Sequence, residues 1–309
     1  MSDGKGGEAD NTSCASCGIA EVDDIKLKDC DDCDLVRYCS DECKENHKTE
    51  HEEACKKRAA ELRDELLFKQ PESSHRGDCP ICCVPLPLDE TKSFMYNCCS
   101  KIICSGCCYT NQKREWEASL RQSCAFCREP APKTEEEAEK QRMKRIEAND
   151  PAAMRQHANL QYFKGDYQSA LELCLKAAEL GDAGAHYRLS GMYRRGHGVE
   201  IDEGKEIHHL EEAAIGGHPF ARCMLGAIEW NNNINPERAV KHWIISATQG
   251  EDNSIKELMK IFKLGQNFNI ELYLSKDDLA ATLRAHRAAV NATKSPQRKV
   301  AEDKMGRNG

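Results

Sequence analysis

No apolar run in this 309-residue chain approaches the roughly 20 residues needed to cross a bilayer. The opening MSDGKGGEADNTS is polar and lacks the apolar stretch of a secretion signal. Both absences lead us to expect a chain of the cytoplasm or nucleus. Basic charge is also short, with 44 Lys and Arg against 52 Asp and Glu and a net charge of -8. Phosphate binding needs a basic face, so nucleic acid is a poor choice of main partner and proteins are the better one. A phosphate loop, an H-E-x-x-H pair and a Ser-His-Asp set are missing as well, and no independent catalytic centre is expected.

Cysteine is abundant. Seventeen of the 19 lie between Cys14 and Cys127, mostly in C-x2-C pairs. A reducing compartment disfavours disulfides and leaves thiolates for metal, and each C-x2-C turn supplies two of the four ligands zinc requires. The N-A-T triplet at Asn291 has no meaning as a glycosylation signal in such a compartment.

The first cluster reads Cys14-x2-Cys17, Cys30-x2-Cys33, Tyr38-Cys39-Ser40-x2-Cys43 and His51-x3-Cys55, eight donors and enough for two zinc ions. His51 and Cys55 share one helical face. His47, four residues after Cys43, competes for the same role. The run resembles the MYND zinc finger in its Y-C-S-x2-C core, although Lys48 stands where family members usually carry tryptophan. The resemblance implies interleaved sites, Cys14, Cys17, Cys39 and Cys43 holding one ion and Cys30, Cys33, His51 and Cys55 the other. Metal binding would supply the folding energy of so small a module, and four protein ligands leave no open position for catalysis.

A second cluster follows: Cys79-Pro80-Ile81-Cys82-Cys83, then Cys98, Cys99, Cys104, Cys107 and Cys108, then Cys124-x2-Cys127-Arg128. Its rhythm resembles a RING finger, with Lys101 where that family places a histidine ligand. Cys98 then supplies the missing donor. The expected sets are Cys79, Cys82, Cys104 and Cys107, and Cys98, Cys99, Cys124 and Cys127, for up to two further zinc ions, with Cys83 and Cys108 left over. In ubiquitin-ligase RINGs the positions of Ile81 and Arg128, with an apolar residue such as Trp116, contact the conjugating enzyme. Ala125 replaces a proline common in the final pair, and residues 109–123 read as one amphipathic helix.

Beyond Pro132, Thr134 and Glu137 form a capping-box pattern that starts a charged, solvated connector helix. From Asp150 the chain repeats itself, with Gly181, Gly217 and Gly250 spaced by 36 and 33 residues. Periods of this size mean stacked helical pairs. Asp150-Pro151 and Asn235-Pro236 are helix starts, and each repeat glycine suits a left-handed helix end. Gly196, Gly198, Val199 and Asp202 resemble the loop of the Sel-like repeat, a tetratricopeptide relative. Adjacent His208 and His209 project about 100 degrees apart on a helix, which argues against a metal site shared with His186. Cys174 and Cys223 read as small core residues.

The expected architecture is multidomain, two zinc-stabilised fingers followed by an all-α solenoid. Its segments are a disordered N-terminus (1–13), a MYND-type finger (14–55), a helical linker (56–75), a RING-like finger (76–132), a connector helix (133–149), Sel-like repeats (150–290) and a disordered tail (291–309). The arrangement resembles multidomain proteins of diatoms and related algae. The resemblances imply a protein-interaction adaptor whose finger takes a short peptide and whose repeats grip a second partner. The alternative is a RING-type ubiquitin ligase. A SET methyltransferase is excluded, because the remaining residues are committed to helices.

Overall fold

The structure, a computed structural model, describes residues 12–232, 235–268 and 273–305. Most of the expected disordered N-terminus, residues 233–234 and 269–272, and residues 306–309 of the tail lie outside the described residues. The chain divides into two compact units, one up to Lys69 and one from Gln70 onward. No described helix is long and apolar enough to cross a membrane.

In the first unit β1 (Lys28–Asp29) pairs antiparallel with β2 (Arg37–Tyr38), Lys28 opposite Tyr38. A helix, α1 (Asp41–Leu67), follows at once. Ser40 caps it by accepting the Cys43 N–H at 3.2 Å, and Asp41 and Glu42 suit the positive helix end. The short finger helix thus continues through Cys55 into the expected linker. It carries ion pairs on its exposed face, and Arg58 forks onto Asp34 at 2.6 and 2.8 Å. The core is small: Cys14, Leu27, Cys30, Cys33 and Tyr38.

The second unit begins with the second finger. A 3-10 turn (Glu90–Lys92) leads into β3 (Ser93–Met95), which pairs antiparallel with β4 (Ile102–Cys104), and α2 (Ser105–Glu117) starts on the next residue. The helix expected over 109–123 therefore begins earlier and stops at Glu117. Ser119 turns left-handed (φ 54), and buried Glu115 accepts the Ser123 hydroxyl at 2.7 Å, folding the chain back.

The connector is α3 (Glu135–Glu147), with Thr134 accepting the Glu137 N–H at 3.2 Å and the Glu137 carboxylate taking the Lys133 N–H at 2.7 Å. Its expected solvation is corrected in part, because Ala138 and Arg142 are buried. Arg142 donates to Asn97 of the second finger (3.4 Å) and to His157 (3.3 Å), so the connector is packed between finger and repeats.

The repeats are α4 (Pro151–Lys164) with α5 (Tyr167–Glu179), α6 (Ala183–Arg195) with α7 (Glu203–Ile215), and α8 (Pro219–Asn231) with α9 (Pro236–Thr248). Each pair packs on the next. Gly181, Gly217 and Gly250 all take left-handed φ, at 82, 83 and 94 degrees. Ala185, Leu189 and Met192 are fully buried, and small residues let neighbouring helices close up. A further pair, α10 (Asp252–Phe268) and α11 (Lys276–Ala292), ends the array.

The tail contradicts the expectation of disorder. Residues Pro296–Met305 form α12, which lies against α2. A Cβ on Gly106 would sit 2.8 Å from the Arg298 nitrogen, so glycine is what lets the two backbones meet. Composition marked this segment as polar. It is held by the Arg298 guanidinium, the close approach at Gly106, the buried Ala301 and a Lys92–Glu302 ion pair at 3.1 Å, none of which composition can weigh.

Candidate metal centres

Four groups of donors converge, and they comprise all sixteen residues expected to bind metal: Cys14, Cys17, Cys39 and Cys43; Cys30, Cys33, His51 and Cys55; Cys79, Cys82, Cys104 and Cys107; Cys98, Cys99, Cys124 and Cys127. Within each group every donor atom lies within 4.8 Å of the others. A zinc–thiolate tetrahedron with bonds of about 2.3 Å has sulfur–sulfur edges of about 3.8 Å. Sulfurs here are 3.6 Å apart for Cys17 and Cys39, and 3.8 Å for Cys30 and Cys55, Cys82 and Cys104, and Cys99 and Cys124. The residues present therefore fit zinc.

Local backbone geometry builds each site. In the pairs Cys14/Cys17, Cys79/Cys82 and Cys124/Cys127 a tight turn ends on a left-handed residue: Gly18 (φ 75), Cys83 (φ 53) and Arg128 (φ 67). The turn aims amides at sulfur, as where Phe126 and Cys127 both donate to the Cys124 thiol at 3.4 Å. The protons are shared unequally within a group. Burial raises the Cys14 thiol, but the N–H groups of Cys17, Cys39 and Ser16 outweigh it and bring it to about 6. Hydrogen bonding with Cys17 and Cys43 pushes Cys39 up to about 12, and burial followed by Cys30 does the same to Cys55. A divalent cation displaces such protons, so loading is pH-dependent.

The competition between His47 and His51 is decided by geometry. His51 is buried with Nε2 3.2 Å from the Cys33 sulfur, and burial holds its pKa below the ordinary value. His47 stacks on His51 at 5.8 Å and uses Nδ1 on the Tyr38 hydroxyl at 3.1 Å, which gives Tyr38 a role beyond packing. In the second finger Lys101 lies over the Phe126 ring at 5.7 Å, and Cys98 reaches Cys127 at 3.4 Å. A left-handed Ser100 (φ 54) after the Cys98-Cys99 doublet accommodates two consecutive donors. Cys83 is exposed and Cys108 buried, both outside the four groups.

Ile81 and Trp116 are 44% and 80% exposed, and Arg128 is exposed beside the final ligand pair. His186 and His209 meet through their Nδ1 atoms at 3.0 Å, one donating to the other, and His208 stands beside them outside any of the four groups. Sequence reasoning missed Arg298. It is buried, donates to the carbonyls of Val84 (2.9 Å) and Pro85 (2.6 Å), and sits 3.7 Å from the Cys82 sulfur. No local pattern marks a residue 216 positions away from its partner.

Residues 14–55 match the family described as the MYND finger. Among solved structures the chain is similar to a Sel1 repeat protein from Oxalobacter formigenes, at 26% identity over 51% of this chain and 66% of that one, with a TM-score of 0.43. It is also similar to c5321, a protective antigen of uropathogenic Escherichia coli displaying an SLR fold, at 18% identity over 64% of this chain and 48% of that one, TM-score 0.43. The chain thus spans less than two thirds of either structure's length. By family match and by donor geometry together, the segment from Cys14 to Cys55 is a MYND-type zinc finger.

Proposed function

We propose that the chain is a non-catalytic adaptor, its MYND-type finger taking a short, typically proline-containing peptide and its helical repeats a second protein. Two structural zinc ions serve the first finger and two the second. The observation that carries this reading is the closure of the donor groups: four protein ligands surround each position, which leaves no place for a reacting water. Zinc then shapes surfaces, and affinity comes from partner contacts. The exposed apolar residues Ile19 (44%) and Val22 (52%) on the first finger offer such a surface.

The comparisons give the ubiquitin-ligase alternative no support. Quantitative affinity capture tests the adaptor reading, with the full chain beside a Cys39→Ser finger variant and a repeat variant. The expected result is a distinct set of partners lost from each; identical partner sets for all three would overturn it. Discharge of ubiquitin from a loaded conjugating enzyme, abolished by Ile81→Ala or Arg128→Ala, would overturn the non-catalytic part.

A further inference from the structure

A cleft of about 560 Å3 opens in the second unit, between the first helices of three successive repeat pairs (α4, α6 and α8) and the segment of the second finger that carries His75 and Arg76. Ligand sites typically measure about 300–1,000 Å3. Three guanidinium groups line it, each from a different element: Arg76 from the finger, Arg155 from α4 and Arg188 from α6. Two imidazoles join them, His75 and His218, with ring centroids 4.4 Å apart.

Among the described residues that line the cleft the acids are Glu90 and Asp182, and Asp89 stands close enough to act on Arg76. Asp182 is already engaged, capping α6 and holding Arg155 Nε at 2.8 Å. Arg76 donates to the Pro87 carbonyl at 2.9 Å and feels the charges of Glu90 and Asp89, while Arg188 donates to Asn159 at 2.8 Å and lies over the Tyr162 ring at 5.0 Å; neither forms a salt bridge among the described residues. The crowding is felt by the imidazoles. Burial, then Arg155 and Arg76, hold His75 down to about 4, and burial, His75 and Arg155 hold His218 well below its ordinary value.

On a chain of net charge -8, this concentration of cations runs against the rest of the surface. Walls of low dielectric focus such a field onto incoming anions. Gly184 keeps the cleft in shape, since a Cβ there would fall 2.7 Å from the Arg155 Cδ. Tyr187 and Phe220, 6.4 Å apart, supply an apolar wall beside the charges. Cations spread over three elements and an adjoining apolar wall suit an extended chain better than a single small ion.

We propose that this cleft binds an acidic peptide segment of a partner protein, its carboxylates on Arg76, Arg155 and Arg188 and an apolar neighbour against Tyr187 and Phe220. The proposal rests on the adaptor reading and assigns the chemistry of its second partner.

Fluorescence anisotropy with the zinc-loaded full chain tests it, using a labelled acidic octapeptide containing one leucine and the same peptide with every acid replaced by its amide. The acidic peptide should bind and the amide peptide should not. Arg76→Gln and Arg188→Gln, which leave the Arg155–Asp182 pair intact, should each weaken binding about tenfold. Lys256→Gln on α10, outside the cleft, should leave it unchanged. Equal binding of the amide peptide, or binding indifferent to both arginine variants, overturns the proposal. So does stabilisation by inorganic phosphate without peptide binding, which would make this a small-anion site. Partner capture that survives both arginine variants sinks the cleft and leaves the adaptor reading standing; failure of all capture sinks that reading while peptide binding remains separately measurable.

Discussion

At the scale of single residues, function is set by which side chain faces a donor group and which backbone angle lets it do so. His47 and His51 are one helical turn apart, yet only His51 reaches the Cys33 sulfur. His51→Ala should therefore remove one zinc ion from the chain in native mass spectrometry, and His47→Ala should leave the count unchanged. Equal losses would mean that the ligand assignment is wrong. The left-handed residue after each cysteine turn gives a second prediction. A non-glycine residue in that conformation costs about 1–2 kcal/mol, and glycine loses about 0.5–1 kcal/mol in chain entropy. Cys83→Gly should accordingly stabilise the second finger by about 0.5–1 kcal/mol, and Gly18→Val should destabilise the first by about as much, both read by urea unfolding.

Histidines buried among the repeats add a dependence on pH. His209 is held down to about 4 by burial and then by His186 and His208, and His242 to about 3 by burial and then by Arg222 and Arg238. The unfolded chain takes up these protons near the ordinary value of about 6.5, the folded chain only near the lowered values. Stability is therefore complete above that ordinary value and is lost as pH falls toward about 4. Urea midpoints followed by the fluorescence of Trp230 and Trp243, packed 5.8 Å apart, should fall across this window. His209→Phe, which keeps a ring against Tyr193, should flatten the slope; an unchanged slope would show that His209 titrates normally.

At the scale of elements, α12 is the instructive case. It is short and polar, and it is held because the Arg298 guanidinium satisfies the carbonyls of Val84 and Pro85 while Gly106 leaves room for its backbone. Removing the cation leaves buried acceptors without a donor. Arg298→Met should cost about 2 kcal/mol and raise hydrogen exchange along α2 as well as α12. If exchange in α2 does not change, the docking is incidental. The connector α3 follows the same logic, since Arg142 ties it to Asn97 and His157. The connector read as solvated and the tail as disordered because charge was counted without partners.

For the molecule as a whole, the two units draw stability from different sources. The first has a core of cysteines with Leu27 and Tyr38, too little to fold without metal. The repeats have a conventional core from Met154 through Tyr193 and another around Trp243. Chelation should therefore fray α1, which loses the packing of its N-terminal half on the metal-held core, while a cooperative thermal transition from the repeats persists. Circular dichroism with and without chelator is the check. Complete loss of helix would show that zinc supports the repeats too.

Spacing was enough to mark the cysteine pairs as metal donors, because a ligand pair is a local turn and zinc accepts few geometries, whereas the interleaving of the pairs into four groups came from the resemblance to known fingers. It was enough also to mark the repeat period, because a left-handed glycine ends each pair at Gly181, Gly217 and Gly250. Both are short-range properties of the chain. Arg298 beside Cys82, Arg142 between finger and repeats, and the cluster of Arg76, Arg155 and Arg188 required the folded chain. Each is a cation whose partners come from distant elements. Along the sequence such a residue is indistinguishable from any exposed charge, and only packing decides which are buried and what they face.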